Sequence, residues 1–147
     1  MTESYVSAGL RRLIVQRAGN CCEYCKYPGH YSPQNLSLDH VTPRFGGGET
    51  TADNLALSCQ GCNSHKATRT ETEDPATGII VALFNPRRQR WRDHFAWGSD
   101  HVSVVGLTAI GRATIEALEL NREGLVNMRR VLYEIGEHPP KEPDQLT

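Results

Sequence analysis

Two cysteine pairs constrain the fold of this chain more than any other feature. The pairs are Cys22/Cys25 and Cys59/Cys62, and both have the spacing Cys-x-x-Cys. Such pairs predict one tetrahedral zinc site, because each forms a tight turn that directs two sulfurs toward the same ion. The competing interpretation is four free thiols in a buried core. The spacing favours zinc.

The size and composition of the chain agree with a metal-stapled domain. It has 147 residues, of which 38% are hydrophobic, so its core is small and a metal cross-link would stabilise it. Residues 1–5 lack the basic start and apolar segment of an export signal, and no apolar run approaches the length of a membrane span. We therefore expect a cytoplasmic protein whose thiolates bind metal rather than form disulfides. The fifth cysteine, Cys21, is interpreted as a bystander.

Charge is distributed unevenly along the chain. The net charge is −1, but residues 1–70 carry seven Lys/Arg against five Asp/Glu, whereas residues 99–147 carry five against eight. A nucleic-acid footprint would therefore be local and would lie in the first two-thirds of the chain. Four arginines between 87 and 92 surround Trp91. They indicate either phosphate contacts or a solvated surface with Trp91 in the core.

Two strands are predicted between the cysteine pairs. Residues 36–41 alternate apolar and polar side chains, and residues 54–58 form a second short candidate strand. A glycine-rich loop separates them. A helix is expected to begin near Asn63, just after the second cysteine pair. The order strand, loop, strand, helix follows.

Three polar residues in this region suggest chemistry. Asp39 and His40 lie near the end of the first strand, and Asn63 follows Cys62 directly. A carboxylate and an amide oxygen suit Mg²⁺, and a neutral imidazole can accept a proton from an attacking water. Asn63 could instead cap the helix.

These motifs, in this order, resemble the HNH endonuclease family, the zinc-stapled branch of the ββα-metal nucleases. The resemblance covers about residues 11–68 and rests on Cys22-x-x-Cys25, Leu38-Asp39-His40-Val41-x-Pro43, Gly47-Gly48, Asp53-Asn54-Leu55 and Cys59-x-x-Cys62-Asn63-x-x-Lys66. It implies an α+β fold with a small ββα-metal core stapled by a four-cysteine zinc site, an N-terminal helix and a C-terminal two-helix extension. We expect the nuclease core at 7–70, the extension packed on it at 71–137, and a disordered tail at 138–147.

The resemblance also implies roles for individual residues. His40 matches the general base, and Asn54 matches the asparagine that braces the loop and helps to orient that histidine. Asp39 and Asn63 match ligands of one catalytic Mg²⁺ or Mn²⁺. The four cysteines of the two pairs would bind a structural Zn²⁺.

Candidate phosphate contacts come from two parts of the chain. Lys66 ends the last of the family motifs, Arg44 directly follows Pro43 of an earlier one, and Arg87 and Arg88 lie in the arginine-rich segment. Positive side chains of this kind pair with the phosphates of a nucleic acid.

The predicted function is that of a metal-dependent endonuclease acting on DNA, with RNA not excluded and protein partners unknown. One alternative is a zinc-stapled module that binds nucleic acid without cleaving it. Another is a zinc-dependent interaction domain that uses its acidic C-terminal helices.

Overall fold

The computed structural model describes residues 6–141, and within that range it is an α+β structure with three separate two-stranded antiparallel sheets. The predicted fold class is confirmed. In chain order the helices and strands are α1 (Ala8–Arg17), β1 (Ser37–His40), β2 (Leu55–Ser58), α2 (Gln60–Lys66), β3 (Glu71–Glu73), β4 (Ile80–Ala82), α3 (Trp91–His94), β5 (Phe95–Trp97), β6 (Val104–Gly106), α4 (Ala109–Leu118) and α5 (Glu123–Glu134).

Helix α1 is capped at its start and docked on β2. The Ser7 hydroxyl accepts a hydrogen bond from the Leu10 amide at 3.1 Å, which satisfies one of the free N–H groups of the first turn. Ile14 is fully buried. Near the end of the helix, the Arg17 guanidinium donates to the carbonyls of Ala52 and Leu55 at 2.9 and 2.7 Å.

Strands β1 and β2 form the hairpin that the sequence predicts between the cysteine pairs. Asp39 pairs with Ala56 and His40 with Leu55. Every residue of β2 is buried. Successive side chains of a strand point to opposite faces, so Asp39 is buried whereas His40 is only half-buried.

Helix α2 begins three residues earlier than the sequence suggested. Cys59 is its N-cap, and the Cys59 Sγ accepts a hydrogen bond from the Cys62 amide at 3.4 Å. The second cysteine turn is therefore the first turn of α2. The interpretation of Asn63 as the helix cap is wrong, because the cap position is already filled and Asn63 lies inside the helix.

The C-terminal part contains more than the two predicted helices. The hairpins β3–β4 and β5–β6 precede and flank α4, which packs against β3, β4, β6 and α2. Trp91 is buried and its Nε1 donates to the Tyr24 carbonyl at 2.9 Å. Trp91 therefore lies in the core, as one of the two interpretations of the arginine-rich segment expected.

The predicted tail begins within the ordered structure. His138 is buried, its ring contacts Trp97 at a centroid distance of 4.4 Å, and its Nε2 lies 2.9 Å from the His101 carbonyl oxygen. Positions 142–147 of that predicted tail lie outside the described residues. Between residues 6 and 141, none of the helices has the length and apolar character needed to cross a bilayer.

Candidate metal centre and nuclease site

The two cysteine pairs converge on one buried point. The ligand atoms of Cys22, Cys25, Cys59 and Cys62 all lie within 4.8 Å of one another, and the Cys25 and Cys59 sulfurs are 3.6 Å apart. Tetrahedral zinc with Zn–S bonds of roughly 2.3 Å separates its sulfurs by about 3.8 Å. The predicted cysteine cluster is confirmed, and its geometry and donor set fit Zn²⁺.

Backbone amides and neighbouring thiols hydrogen-bond to the sulfurs of this cluster. The amides of Cys25 and Cys62 donate to the sulfurs of Cys22 and Cys59, each at 3.4 Å. Hydrogen bonds from Cys22, Cys25 and Cys62 lower the pKa of Cys59 far below its usual value, whereas burial raises the pKa of Cys25 and a hydrogen bond with Cys22 raises the pKa of Cys62. The thiolate is the form that binds a metal, so the contacts around Cys59 favour the ligating state of that one cysteine.

The first cysteine turn also reaches into the hairpin. Tyr24, which lies between the cysteines of that turn, donates its hydroxyl proton to Asp39 Oδ2 at 2.7 Å. Glu23 Oε2 accepts from the Leu57 amide at 2.8 Å. A zinc ion that holds this turn would therefore also hold both strands of the hairpin, one through each contact.

Asp39 is paired with a buried lysine. The Lys66 ammonium lies 3.2 Å from Asp39 Oδ2 and 3.3 Å from the carbonyl oxygens of His40 and Val41. Burial raises the pKa of Asp39, and the Lys66 charge and the Tyr24 hydrogen bond oppose that shift. The carboxylate is a suitable ligand for a hard cation, but a cation at these oxygens would have to displace the ammonium.

His40 lies at the end of β1 with its ring held by a threonine. Its Nε2 is 2.9 Å from Thr50 Oγ1. Partial burial lowers the pKa of His40, the Asp39 charge opposes this, and Arg44 and Lys66 add to the lowering. The neutral imidazole, the form that can accept a proton, is therefore favoured.

Asn54 joins the two ends of the loop between the strands. Its Oδ1 accepts from the Thr42 amide, and its Nδ2 donates to the carbonyls of Thr42 and Glu49, all at 2.9 Å. Gly48 packs so closely that a Cβ on it would overlap the Thr42 carbonyl oxygen. The loop is folded back tightly, which brings Thr50 to the His40 ring.

Asn63 is half-buried in helix α2. Within residues 6–141 its side-chain amide makes no hydrogen bond, so the amide oxygen has the capacity to bind a ligand. His65, in the same helix, lies 3.3 Å from Glu119 through its Nδ1 and links α2 to the end of α4.

The four predicted phosphate contacts fall into two groups. Arg44 and Arg88 are exposed. The Arg87 guanidinium is paired with the buried carboxylate of Glu23 and its side chain is 8% exposed, and Lys66 is paired with Asp39. These pairings argue against the phosphate contacts predicted for Arg87 and Lys66, since both charges are already compensated inside the protein.

Sequence reasoning missed three features that shape the site. Tyr24 and Thr50 carried no motif signal. The pairing of Lys66 with Asp39 joins residues far apart in the chain, so local spacing could not reveal it. The motifs pointed only to the residues expected to do chemistry.

Known proteins resemble the part of the chain that holds the cysteine cluster and the β1–β2 hairpin. The sequence model of the HNH endonuclease family matches residues 22–69. A similar protein is the CRISPR-associated endonuclease Cas9 of Corynebacterium diphtheriae, which is 43% identical over 53 residues. That match covers 35% of this chain and only 5% of the length of the relative. The matched segment 22–69, which holds the cysteine cluster, the β1–β2 hairpin and α2, is thus similar to the HNH endonuclease family over about a third of the chain.

Proposed function

We propose that this chain is a metal-dependent endonuclease that hydrolyses phosphodiester bonds in DNA, with His40 as the general base. The observation that carries the proposal is the placement of the His40 ring. It is half-buried at the end of β1, and Thr50 Oγ1 lies 2.9 Å from its Nε2. When Nε2 carries the proton and donates to Thr50, Nδ1 is the nitrogen left to take a proton from water.

The surrounding residues would keep that nitrogen in position. Asn54 closes the loop that carries Thr50, and the loop in turn fixes the ring. The exposed Arg44 and Arg88 would contact backbone phosphates of the substrate. The zinc cluster would hold the hairpin and α2 together and take no part in the reaction.

Asp39 and Asn63 are the proposed ligands of the catalytic ion. A carboxylate and an amide oxygen are hard donors, which favours Mg²⁺ or Mn²⁺ over a softer metal. When bound, such an ion would supply positive charge to stabilise the phosphate in the transition state. The fit is partial, because the Lys66 ammonium already lies 3.2 Å from the Asp39 carboxylate.

That same contact favours the second candidate function, a zinc-stapled module that binds nucleic acid without cleaving it. A buried carboxylate that is neutralised by lysine has no need of a divalent ion. The match of residues 22–69 to the HNH endonuclease family model and the held ring of His40 favour cleavage.

Further expectations accompany the proposal. We infer a nuclease core at 7–70 with the extension 71–137 packed on it, in a cytoplasmic protein. DNA is the expected substrate, and RNA is the competing one.

The test is a nicking assay. Zinc-loaded protein is incubated with supercoiled plasmid and with end-labelled RNA, in Mg²⁺ or Mn²⁺, beside His40→Ala and a matched His30→Ala control on an exposed residue. Loss of a general base lowers the rate by about 10²–10⁴-fold, so His40→Ala should be nearly inactive whereas His30→Ala cleaves like the wild type. If the wild type and both variants bind nucleic acid and none of them cleaves it, the result supports the second function. Equal cleavage by His40→Ala would remove His40 from the mechanism.

A further inference from the structure

One arginine from the C-terminal part of the chain contacts the cysteine cluster. Arg122 lies between α4 and α5. Its Nη2 is 3.4 Å from the Cys59 sulfur, and both of its terminal nitrogens are 3.8 Å from the Cys62 sulfur. These distances fall within the range of N–H···S hydrogen bonds, which are longer than those to oxygen because sulfur is larger.

The guanidinium is held in place independently of the sulfurs. Its Nη1 donates to the carbonyls of Leu118 and Glu119 at the end of α4, both at 3.1 Å, and the Glu119 carbonyl also accepts from the Arg122 amide at 3.1 Å. The guanidinium lies against Gly61, one of the two residues between Cys59 and Cys62. A Cβ on Gly61 would lie 2.8 Å from the Arg122 Cζ, so the guanidinium fits there only because residue 61 has no side chain.

A second guanidinium, that of Arg129, lies close to the cysteine cluster. Arg129 is 1% exposed and donates to the carbonyls of Cys25, Leu120 and Val102 at 3.2, 2.8 and 3.1 Å. Within the part of the chain that the structure describes, it forms no ion pair with an acidic side chain. Zinc bound by four thiolates carries a net charge of about −2, which two nearby guanidinium groups would balance.

We propose that Arg122 completes the zinc site as a positioning residue that donates hydrogen bonds to the Cys59 and Cys62 thiolates. The donated bonds and the positive charge stabilise the thiolate form and so raise the affinity for zinc. The C-terminal helices thereby belong to the metal centre, although they supply no ligand to the ion. This proposal does not depend on the nuclease function.

The test compares three single variants and one double variant with one control. Arg122→Gln removes the charge and the forked donor, and Arg122→Lys keeps the charge alone. Gly61→Ala keeps Arg122 but displaces its guanidinium, which can move because it is the end of a flexible side chain. Arg130→Gln is the matched control, since Arg130 is exposed on α5 and donates to Asn127 rather than to a cysteine.

Two measurements are made on each protein. Zinc affinity is measured by competition with a chromophoric chelator, and the sulfur-to-metal charge-transfer band is recorded after replacement of zinc by Co²⁺. Outer-shell partners of metal ligands contribute about 10–100-fold to affinity, so Arg122→Gln and Gly61→Ala should each weaken binding by that amount. Both should shift the band to lower energy, because sulfur that accepts no hydrogen bond gives up its electrons more easily.

The pattern across the variants decides the outcome. The proposal expects Arg122→Lys to fall between the wild type and Arg122→Gln, and the Gly61→Ala/Arg122→Gln double variant to be no weaker than either single variant. Affinity and band position in Arg130→Gln should equal those of the wild type. If the affinity and the band of Arg122→Gln equal those of the wild type, Arg122 has no role at the metal and the proposal is overturned.

Discussion

Replacing Lys66 by methionine isolates the most unexpected contact in the site. The substitution nearly keeps the length of the side chain and removes the ammonium that lies 3.2 Å from Asp39 Oδ2. The side chains of Lys66 and Asp39 are 2% and 4% exposed, so the carboxylate would be left buried without a counter-ion. Breaking a buried pair in this way costs about 3–5 kcal/mol of unfolding free energy. Because the Tyr24 hydroxyl still donates at 2.7 Å, we expect a value near the lower limit.

Urea unfolding at pH 7, with free zinc held constant, measures this cost. The double variant Asp39→Asn/Lys66→Met is the matched comparison. It removes both charges and keeps an amide oxygen at position 39 that can accept the hydrogen bond from the Tyr24 hydroxyl. It should be more stable than Lys66→Met alone. A loss below about 1 kcal/mol for Lys66→Met, or a double variant no more stable than that single variant, would contradict a buried charge pair.

Divalent ions extend the same experiment to the proposed catalytic site. If Mn²⁺ and the Lys66 ammonium compete for the Asp39 carboxylate, Mn²⁺ should stabilise Lys66→Met more than the wild type. A ligand present at about 100 times its dissociation constant adds about 2.7 kcal/mol. Equal stabilisation of both proteins by Mn²⁺ would show that the ammonium and the ion do not share a position.

Three further predictions concern the loop and the zinc cluster. Thr50→Val should slow cleavage by about 3–10-fold through loss of one hydrogen bond to His40, whereas Thr50→Ser should retain the rate. Equal single-turnover rates for Thr50→Val and the wild type would show that Thr50 has no role in the site. Gly48→Ala should lower the unfolding free energy by about 1–3 kcal/mol in urea melts, because its Cβ would overlap the Thr42 carbonyl. Gly124→Ala, with open space around it, should not lower it. Equal unfolding free energies for Gly48→Ala and the wild type would argue against the tight loop. Removal of zinc by a chelator should abolish the cooperative thermal transition seen by circular dichroism, and an unchanged transition would refute a structural role for the cluster.

The parts of the fold that depend on local spacing could be predicted from the sequence. Cysteine pairs at Cys-x-x-Cys spacing specify tight turns, and alternation over residues 36–41 specifies a strand, so the cluster and the hairpin lie where expected. Strands β3 to β6 have three residues each, too few to show a period. The sequence did not predict β3 and β5.

The charged contacts could not be predicted, because their partners are distant in sequence. Lysine and arginine are usually solvated, yet Lys66 is buried against Asp39 and Arg87 against Glu23. The first pair joins α2 to β1, and the second joins the segment after β4 to the first cysteine turn. The arginine-rich pattern at 87–92 gave no sign that its members have different surroundings.

The most direct test of the central claim is the single-turnover rate at which zinc-loaded protein cleaves an end-labelled DNA duplex in Mn²⁺, measured for the wild type and for His40→Ala. If His40 is the general base, the variant should be slower by about 10²–10⁴-fold while its circular dichroism spectrum and zinc content match those of the wild type. Equal rates for the two proteins, or no cleavage by the wild type in any divalent ion, would contradict it.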